Sequence, residues 1–183
     1  MQVSACPRAL LALLVLSQLT PEQALAAAQA QREPAGALRA TGEVYVGNTR
    51  VTGEWTVFAG DTVRTGADGA AGVRVAQRGV LVLGPGTEVT LDVQPRYFAT
   101  LKQGNLGLQS VAEGRGFQLR VGNFTVVPSP EMEAAADIER ATDGATRITC
   151  TKGSFGVFEI DGEASVFLRA DETAVISPQG QLQ

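Results

Sequence analysis

The chain has 183 residues, a formal net charge of −4 and no histidine. This mildly acidic balance makes nucleic acid a poor candidate partner, because nucleic-acid binding requires a basic surface. The absence of histidine excludes Ser-His-Asp and Cys-His catalytic systems and removes the commonest protein ligand of zinc, copper and iron. Any catalysis would rest on carboxylates or on the remaining candidates Lys102, Lys152, Tyr45 and Tyr97.

Residues 1–26 have the order of a secretory signal peptide. Arg8 gives the first segment a positive charge, the apolar run 9–16 follows, and Ala24–Ala26 forms a small-x-small cleavage site. The apolar run is far shorter than the roughly 20 residues that a membrane-spanning helix needs. We therefore predict cleavage after Ala26 and export to the periplasm or the extracellular space. Cleavage at Ala28 or Ala30 and an uncleaved amphipathic helix are the alternatives.

Removing 26 residues from 183 leaves 157, enough for one domain with a hydrophobic core. Residues 27–40 are small and polar and predict a flexible leader, and the domain is expected over 41–182. Cleavage removes Cys6, so Cys150 has no partner for an internal disulfide. Cys150 shares a strand face with Ile148, which favours a small buried side chain; pairing with another chain is the alternative.

From Gly42 onward, polar and apolar residues alternate with the period of two that is typical of β-strands. Residues 80–83 (VLVL) are all apolar, which predicts a strand covered on both faces. We expect Leu81 and Leu83 in the central core, with Arg78 and Gly79 in the turn before them. Many short strands with closely spaced turns predict an all-β domain.

Residues 131–141 are ambiguous between helix and strand. Ser129 and Pro130 precede strong helix formers, as at a helix start, but Ala136, Ile138 and Arg140 alternate with acidic residues. Residues 142–145 (TDGA) resemble a tight turn. We prefer a pair of strands joined by this turn.

A weak internal repeat aligns 100–108 (TLKQGNLGL) with 149–157 (TCTKGSFGV). Gly104 matches Gly153, and each copy is predicted as a strand, a turn at this glycine, and a second strand. A further glycine in each second strand is expected to mark a bulge. A repeat in an all-β chain favours stacked short strands, in a β-solenoid or β-roll, where each layer covers the last.

The segment 60–75 (GDTVRTGADGAAGVRV) could hold a phosphate, a calcium ion or a catalytic acid, or form a turn. A phosphate site needs a following helix, and the pattern here predicts strands. Asp61 and Asp68 are too far apart for a calcium loop. The acids Glu54, Glu88 and Asp92 carry no catalytic signature. We therefore predict a turn, and no catalytic, cofactor-binding or metal-binding residue anywhere in the chain.

The pattern of turns and apolar positions over about residues 40–181 resembles the FecR-like periplasmic domain family. The resemblance continues through Leu101–Gly104. The family pattern closes with an Ala/Gly-Glu-x-x-x-Val unit, and residues 162–166 (GEASV) are similar to it, with one residue fewer before Val166. The residues that carry its first half are Gly42, Val44, Gly60, Asp61, Thr65, Gly66, Val73, Val75, Leu81, Leu83, Pro85 and Thr87.

This resemblance implies a bacterial envelope protein and no catalytic residues. The best-known members carry a cytoplasmic anti-sigma segment and one membrane helix, and relay signals from an outer-membrane receptor to a sigma factor. Because the N-terminus here predicts an export signal, we expect a stand-alone exported member without the anti-sigma segment or the membrane helix.

We predict a non-enzymatic envelope module, without a cofactor, that binds a protein or a glycan through a sheet face or edge, in envelope signalling or assembly. One alternative is a secreted carbohydrate-active enzyme that uses paired carboxylates, and another is a structural subunit that assembles through β-edges. Paired acids on one concave face would indicate the enzyme. A wide flat face without such a pair would indicate binding.

Overall fold

A computed structural model describes residues 34–75, 78–92, 98–112 and 117–183, and every regular element within these ranges is a β-strand. The described residues belong to the compact unit Glu33–Gln183. The predicted all-β class is therefore confirmed. The strands are β1 (Pro34–Val46), β2 (Thr49–Phe58), β3 (Thr62–Thr65), β4 (Ala70–Val75), β5 (Gly79–Leu83), β6 (Glu88–Leu91), β7 (Ala99–Ser110), β8 (Leu119–Val121), β9 (Phe124–Pro128), β10 (Ala134–Arg140), β11 (Thr146–Lys152), β12 (Ser154–Glu159), β13 (Ser165–Arg169) and β14 (Thr173–Ile176).

Six strands close into an antiparallel barrel, in the order β1, β4, β5, β7, β6 and β3. Closure depends on the two longest strands, each of which pairs with different neighbours along its two halves. The first half of β1 pairs with β4 and its second half with β3. The first half of β7 pairs with β6 and its second half with β5. This closed ring leaves no unpaired edge among its six members.

The remaining strands extend the barrel wall from β1 and β7. β8 pairs with β7 in parallel, and β9, β12 and β13 continue from β8 in antiparallel order. On the other half of β7, β10 leads to β11 and β14. β2 pairs with β1. The molecule therefore has two broad outer sheet surfaces, which share β1 and β7.

The core is built from the inward side chains of alternating strands. Leu38, Val73, Leu81 and Leu108 are consecutive cross-strand neighbours, and each is at most 1% exposed. Burying such an aliphatic side chain stabilises the fold by about 1.5–3 kcal/mol. Period-two alternation in the sequence thus fixes which residues of each strand fill the interior.

A glycine allows β7 to bend from one sheet surface into the other. Gly104 has a φ of +95°, and a side chain there would clash with the backbone of Thr87. Gly42 within β1 and Gly153 between β11 and β12 also have positive φ and close backbone neighbours. Each of the three glycines is followed two residues later by a buried apolar side chain: Val44, Leu106 and Phe155.

The repeat between 100–108 and 149–157 therefore marks two equivalent bends, but the predicted strand–turn–strand form is wrong for the first copy. β7 runs through Gly104 without interruption, whereas β11 ends and β12 begins on either side of Gly153. The predicted bulges are also wrong, because Gly107 and Gly156 lie in regular register. At Gly156 the absence of a side chain makes room for the ring of Phe158, and at Gly107 a side-chain carbon would be in ordinary contact with Val82 and Asp137.

The first described residues are strand, which corrects the predicted leader over 27–40. Residues 34–40 belong to β1 and pair with both β2 and β4. Leu38 is 1% exposed, and the small residues Ala35 and Ala40 are also buried. Small size here serves close packing in a strand. Residues 27–33 and the predicted signal peptide lie outside the described ranges.

The prediction that β5 is covered on both faces is wrong, although Leu81 and Leu83 lie in the central core as predicted, each 1% exposed. Val82, between them, is 44% exposed on the outer surface. Its cross-strand neighbours are Gly72 and Gly107, which have no side chains to cover it. A single exposed apolar residue of this kind is common on protein surfaces.

The turn before β5 differs in one residue from its prediction. Arg78 lies in the turn and donates its amide hydrogen bond to the carbonyl of Val75 at 3.2 Å. Gly79 is already the first residue of the strand. The two residues before Arg78 lie outside the described ranges.

The ambiguous segment 131–141 is a strand, as preferred. β10 pairs with β11, and Ile138 faces Ile148 across the ladder. The predicted turn at 142–145 joins them, with the amide of Ala141 donating to the carbonyl of Ala145 at 2.9 Å. The helix formers in this segment are overridden because the apolar residues alternate and so fill the core only in an extended chain.

Candidate functional site

One outer surface, here called the threonine face, crosses seven strands from β3 to β13. Its central row of cross-strand neighbours holds polar residues at one end and an aromatic residue near the other. The row consists of Thr62, Thr90, Thr100, Arg120, Thr125, Phe158 and Ser165. Two features of this face, an aromatic corner and a polar depression, have the character of binding sites.

The aromatic corner is formed by Phe158 of β12 and Phe167 of β13. Their ring centroids are 5.5 Å apart, with the rings nearly perpendicular at 84°. Phe167 is 72% exposed, and the Phe158 ring lies over Gly156, where a side chain would clash with it. A shallow, mostly apolar groove of about 220 Å³ adjoins the rings and includes Val127 and Pro130. Exposed aromatic side chains beside such a groove are typical of protein-binding surfaces.

The outer edge of β13 lies beside this corner. The amide of Glu159 donates to the carbonyl of Ala164, and hydrogen-bonded pairs alternate along an antiparallel ladder. Ser165 and Phe167 therefore direct their backbone amides and carbonyls away from β12. Among the described residues, β12 is the only strand that pairs with β13. Arg169, the last residue of the strand, donates its amide to a carboxylate oxygen of Glu172 at 2.7 Å.

The polar depression lies over β6, β7 and β8 and has a volume of about 440 Å³. Among the described residues, it is lined by three cationic side chains, Lys102, Arg120 and Arg140, and by one acidic side chain, Asp92. Thr100 donates to the Asp92 carboxylate through its hydroxyl at 2.6 Å. The depression therefore carries positive charge on the surface of an acidic chain.

The guanidinium of Arg140 is held in place by hydrogen bonds that leave one nitrogen available. Its Nε donates to the carbonyl of Lys102 at 3.0 Å, and Nη1 donates to the carbonyl of Gly144 at 3.2 Å and to the hydroxyl of Thr146 at 3.0 Å. Among the described residues, no hydrogen bond involves Nη2. The guanidinium packs against Gly122, where a side-chain carbon would be 3.1 to 3.4 Å from it.

The opposite outer surface, here called the glycine face, crosses eight strands from β2 to β14 and has two depressions, one lined by Val80 and the other by Val82. Gly72 contributes to one and Gly107 to the other. The central row of this face consists of Glu54, Arg39, Gly72, Val82, Gly107, Asp137, Thr149 and Thr173.

The acidic candidates are not brought together. Glu54 lines a depression on the glycine face, whereas Asp92 lines the polar depression on the threonine face. Glu88 lies on β6 opposite Arg64. Asp61 accepts a hydrogen bond from the Phe58 amide at 2.9 Å, which stabilises the turn before β3.

The acids that do share a depression were not singled out in the sequence. Asp137 and Glu139 both line the depression that includes Gly107. They are alternate residues of β10 on one wall, and both are exposed.

Two of the remaining candidates for catalysis, Lys152 and Tyr45, have structural partners. Lys152 forms an ion pair with Glu133 at 2.6 Å, and this hydrogen bond lowers the pKa of the Glu133 carboxyl. Tyr45 donates to Glu43 at 2.8 Å, and this hydrogen bond, together with the negative charge of Glu43, raises the pKa of the Tyr45 hydroxyl. Tyr97 lies outside the described residues.

Cys150 is buried, as predicted, in the inward row of β11. Burial raises the pKa of its thiol. The Sγ atom donates weakly to the carbonyls of Lys152 and Gly153, at 3.5 and 3.6 Å. These features describe a packed side chain and not an accessible nucleophile.

The segment 60–75 contains the predicted turn, which connects β3 with β4. The amide of Gly69 donates to the carbonyl of Gly66 at 3.2 Å, and Asp68 is exposed. In the described part of the chain, no three acidic, histidine or cysteine side chains cluster in a way that could hold a metal ion. In the same residues, no helix is long and apolar enough to cross a membrane.

No sequence pattern indicated that the cations of the polar depression meet. Lys102, Arg120 and Arg140 are far apart along the chain and come together only through β7, β8 and β10. The aromatic corner had a weak local signal. Phe167 lies between Val166 and Leu168, so the strand has apolar residues on both faces. Comparison with known proteins adds no assignment, since no protein-family model and no curated protein sequence matches the chain.

Proposed function

We propose that this protein is a non-enzymatic, exported envelope module that binds an extended segment of a partner protein at the aromatic corner. The observation that carries the proposal is Phe167, which is 72% exposed at the outer edge of β13, where no second strand pairs among the described residues. A bound segment would add a strand to β13 and place an apolar side chain against the two phenylalanine rings.

The charges around this corner favour a basic partner segment. The turn between β12 and β13 carries Asp161 and Glu163, both exposed, and Glu159 precedes it. A cationic residue next to the apolar anchor of the partner would complement these carboxylates and speed association. The expected ligand is therefore an extended segment that combines an apolar residue with Lys or Arg.

Membership of the FecR-like family, as a stand-alone exported member, is part of the same proposal. It is supported by the pattern of glycines and apolar positions over residues 40–181 and by the signal-like order of residues 1–26. Stacking of the strands as in a β-roll or β-solenoid is also proposed. Its support is that β1 and β7 each belong to both outer surfaces, so that one layer covers the other.

A display library of random peptides, selected on the mature protein, tests this proposal. We expect enrichment of peptides with an apolar residue beside Lys or Arg. Because Phe167 is largely exposed, Phe167→Ser should leave the fold intact while it removes the apolar contact. The selected peptides should then bind at least roughly tenfold more weakly, as for an interface hot spot.

Trp55→Ser is the matched control, because Trp55 is another exposed aromatic residue, 46% exposed, on the distant strand β2. Peptide affinity should be unchanged in this variant. A Glu163→Lys variant should bind the basic peptides more weakly, because the new lysine repels their positive charges. Selected peptides that bind the Phe167→Ser variant and the unaltered protein equally would contradict the proposal, as would a failure to select any peptide.

A further inference from the structure

The two ends of the polar depression on the threonine face differ in charge. One end has positively charged side chains, and the other has threonine hydroxyls and a carboxylate. Thr90, Thr100 and Asp92 line one end, where the threonine hydroxyls and the Asp92 carboxylate can exchange hydrogen bonds with hydroxyl groups. Along β7, Lys102 lies two residues beyond Thr100, about 7 Å further on. Arg140 reaches the backbone at Lys102, so both cations lie at the second end.

A β-bulge places Lys102 at this end. Glu88 of β6 is the neighbour of Gln103, and the next residue, Val89, is the neighbour of Leu101, so Lys102 is the extra residue of β7. Its carbonyl accepts the hydrogen bond from Arg140 Nε. Bulges of this kind redirect a side chain and are frequent beside functional sites.

The two cations have hydrogen-bonding capacity left for a ligand. The Nη2 group of Arg140 has no hydrogen-bond partner among the described residues, and the same is true of the ammonium group of Lys102. Gly122, against which the guanidinium of Arg140 packs, has no side chain that would crowd it. Arg120, whose Nε donates to the Gly122 carbonyl at 3.2 Å, adds a third positive charge.

We propose that the polar depression binds a sugar unit that carries one oxyanionic group, a carboxylate, phosphate or sulfate. The oxyanion lies at Lys102 and Arg140, and the sugar hydroxyls lie at Thr90, Thr100 and Asp92. Asp92 disfavours a second anionic group at its own end. The volume of about 440 Å³ lies within the usual range of small-molecule sites, about 300–1,000 Å³. This site is separate from the aromatic corner, and either can fail without the other.

Titration of the ¹⁵N-labelled mature protein, followed by amide chemical shifts and calorimetry, tests the site. The probes are glucuronate, glucose 6-phosphate, glucose and inorganic phosphate. Both anionic sugars should shift the amides of Thr100, Lys102 and Gly122, and their affinity should fall with added salt. Glucose lacks the anionic group and inorganic phosphate lacks the hydroxyls, so each should bind at least roughly tenfold more weakly than glucose 6-phosphate.

Lys102→Gln removes one charged donor from an exposed side chain. It should weaken the binding of glucose 6-phosphate roughly tenfold. Arg74→Gln is the matched control, because it removes one positive charge from the glycine face. The affinity of this variant for glucose 6-phosphate should stay within about twofold of that of the unaltered protein, since a distant surface charge is screened. An equal loss of affinity for glucose 6-phosphate in both variants would overturn the proposal. So would inorganic phosphate binding as tightly as glucose 6-phosphate, shifts confined to other residues, or no binding of either anionic sugar.

Discussion

At the scale of single residues, burial separates the side chains that can react from those that only pack. Cys150, the one cysteine of the described chain, is fully buried, whereas Lys152 is exposed and forms an ion pair with Glu133. Desolvation disfavours the thiolate, so the pKa of Cys150 is raised in the folded protein. This raised pKa makes the stability of the folded protein depend on pH.

The contribution of Cys150 to stability should disappear at high pH. Its folded pKa lies above the unfolded value, so the contribution is complete below the unfolded pKa of about 9 and is lost as pH rises through the folded pKa. Unfolding free energies measured by urea denaturation at increasing alkaline pH should fall less in Cys150→Ala than in the unaltered protein. Parallel curves for the two proteins would show that the thiol does not contribute.

Asp68 should be replaceable, because its exposed side chain belongs to a turn and to no site. Asp68→Asn should change the free energy of unfolding by less than roughly 1 kcal/mol, as surface substitutions usually do. Binding of the selected peptides should stay within about threefold. Added calcium should leave the melting temperature of the protein unchanged. A clear upward shift with calcium would indicate a metal site that the turn geometry does not suggest.

At the scale of single elements, each strand presents one face to the core and the other to solvent, even where its sequence is entirely apolar. β5 is the clearest case, because Leu81 and Leu83 are buried and Val82 between them is exposed. The position of a residue within the pleat, and not its hydrophobicity, decides what its loss costs. The glycines at the bends have an equally specific role.

Leu83→Ala should destabilise the protein by about 2–5 kcal/mol, because it leaves a cavity in the core. Val82→Ala in the same strand should cost less than about 1 kcal/mol, because this side chain is already 44% exposed. Denaturant unfolding of the two variants measures the difference. Equal losses would show that both faces of β5 are covered.

Gly104→Ala should destabilise the protein by at least about 1–3 kcal/mol, from backbone strain at φ +95° and from contact with Thr87. Gly72→Ala is the control, because no atom lies within 4 Å of the position of the added carbon. Its free energy of unfolding should stay within about 1 kcal/mol of the unaltered value. Similar effects of the two changes in thermal or denaturant unfolding would argue against a bend that requires glycine.

At the scale of the whole molecule, the barrel provides a rigid support for two outer surfaces with different chemistry. The threonine face combines an aromatic corner with a cationic depression, and the glycine face has two depressions, one lined by Val80 and the other by Val82. Sites on strands are held more precisely than sites on loops. The proposed binding role in the envelope requires that the chain be exported.

Export predicts a mature N-terminus close to residue 27. The positive first segment, the short apolar run and the Ala24–Ala26 site should direct cleavage after Ala26. Mass spectrometry of secreted or periplasmic protein should find Ala27, or a residue within a few positions of it, at the N-terminus. Intact Met1 on exported protein would contradict cleavage.

The sequence by itself determined the all-β class, the turn at Gly66–Gly69 and the burial of Leu81, Leu83 and Cys150. These features follow from period-two alternation and turn chemistry, which act between near neighbours in the chain. Only the tertiary structure decided that residues 34–40 belong to a strand and that Val82 is exposed. It also decided that Lys102, Arg120 and Arg140 meet in one depression. Such outcomes depend on which distant strands pair and where glycines let β1 and β7 bend, and no local pattern specifies that choice.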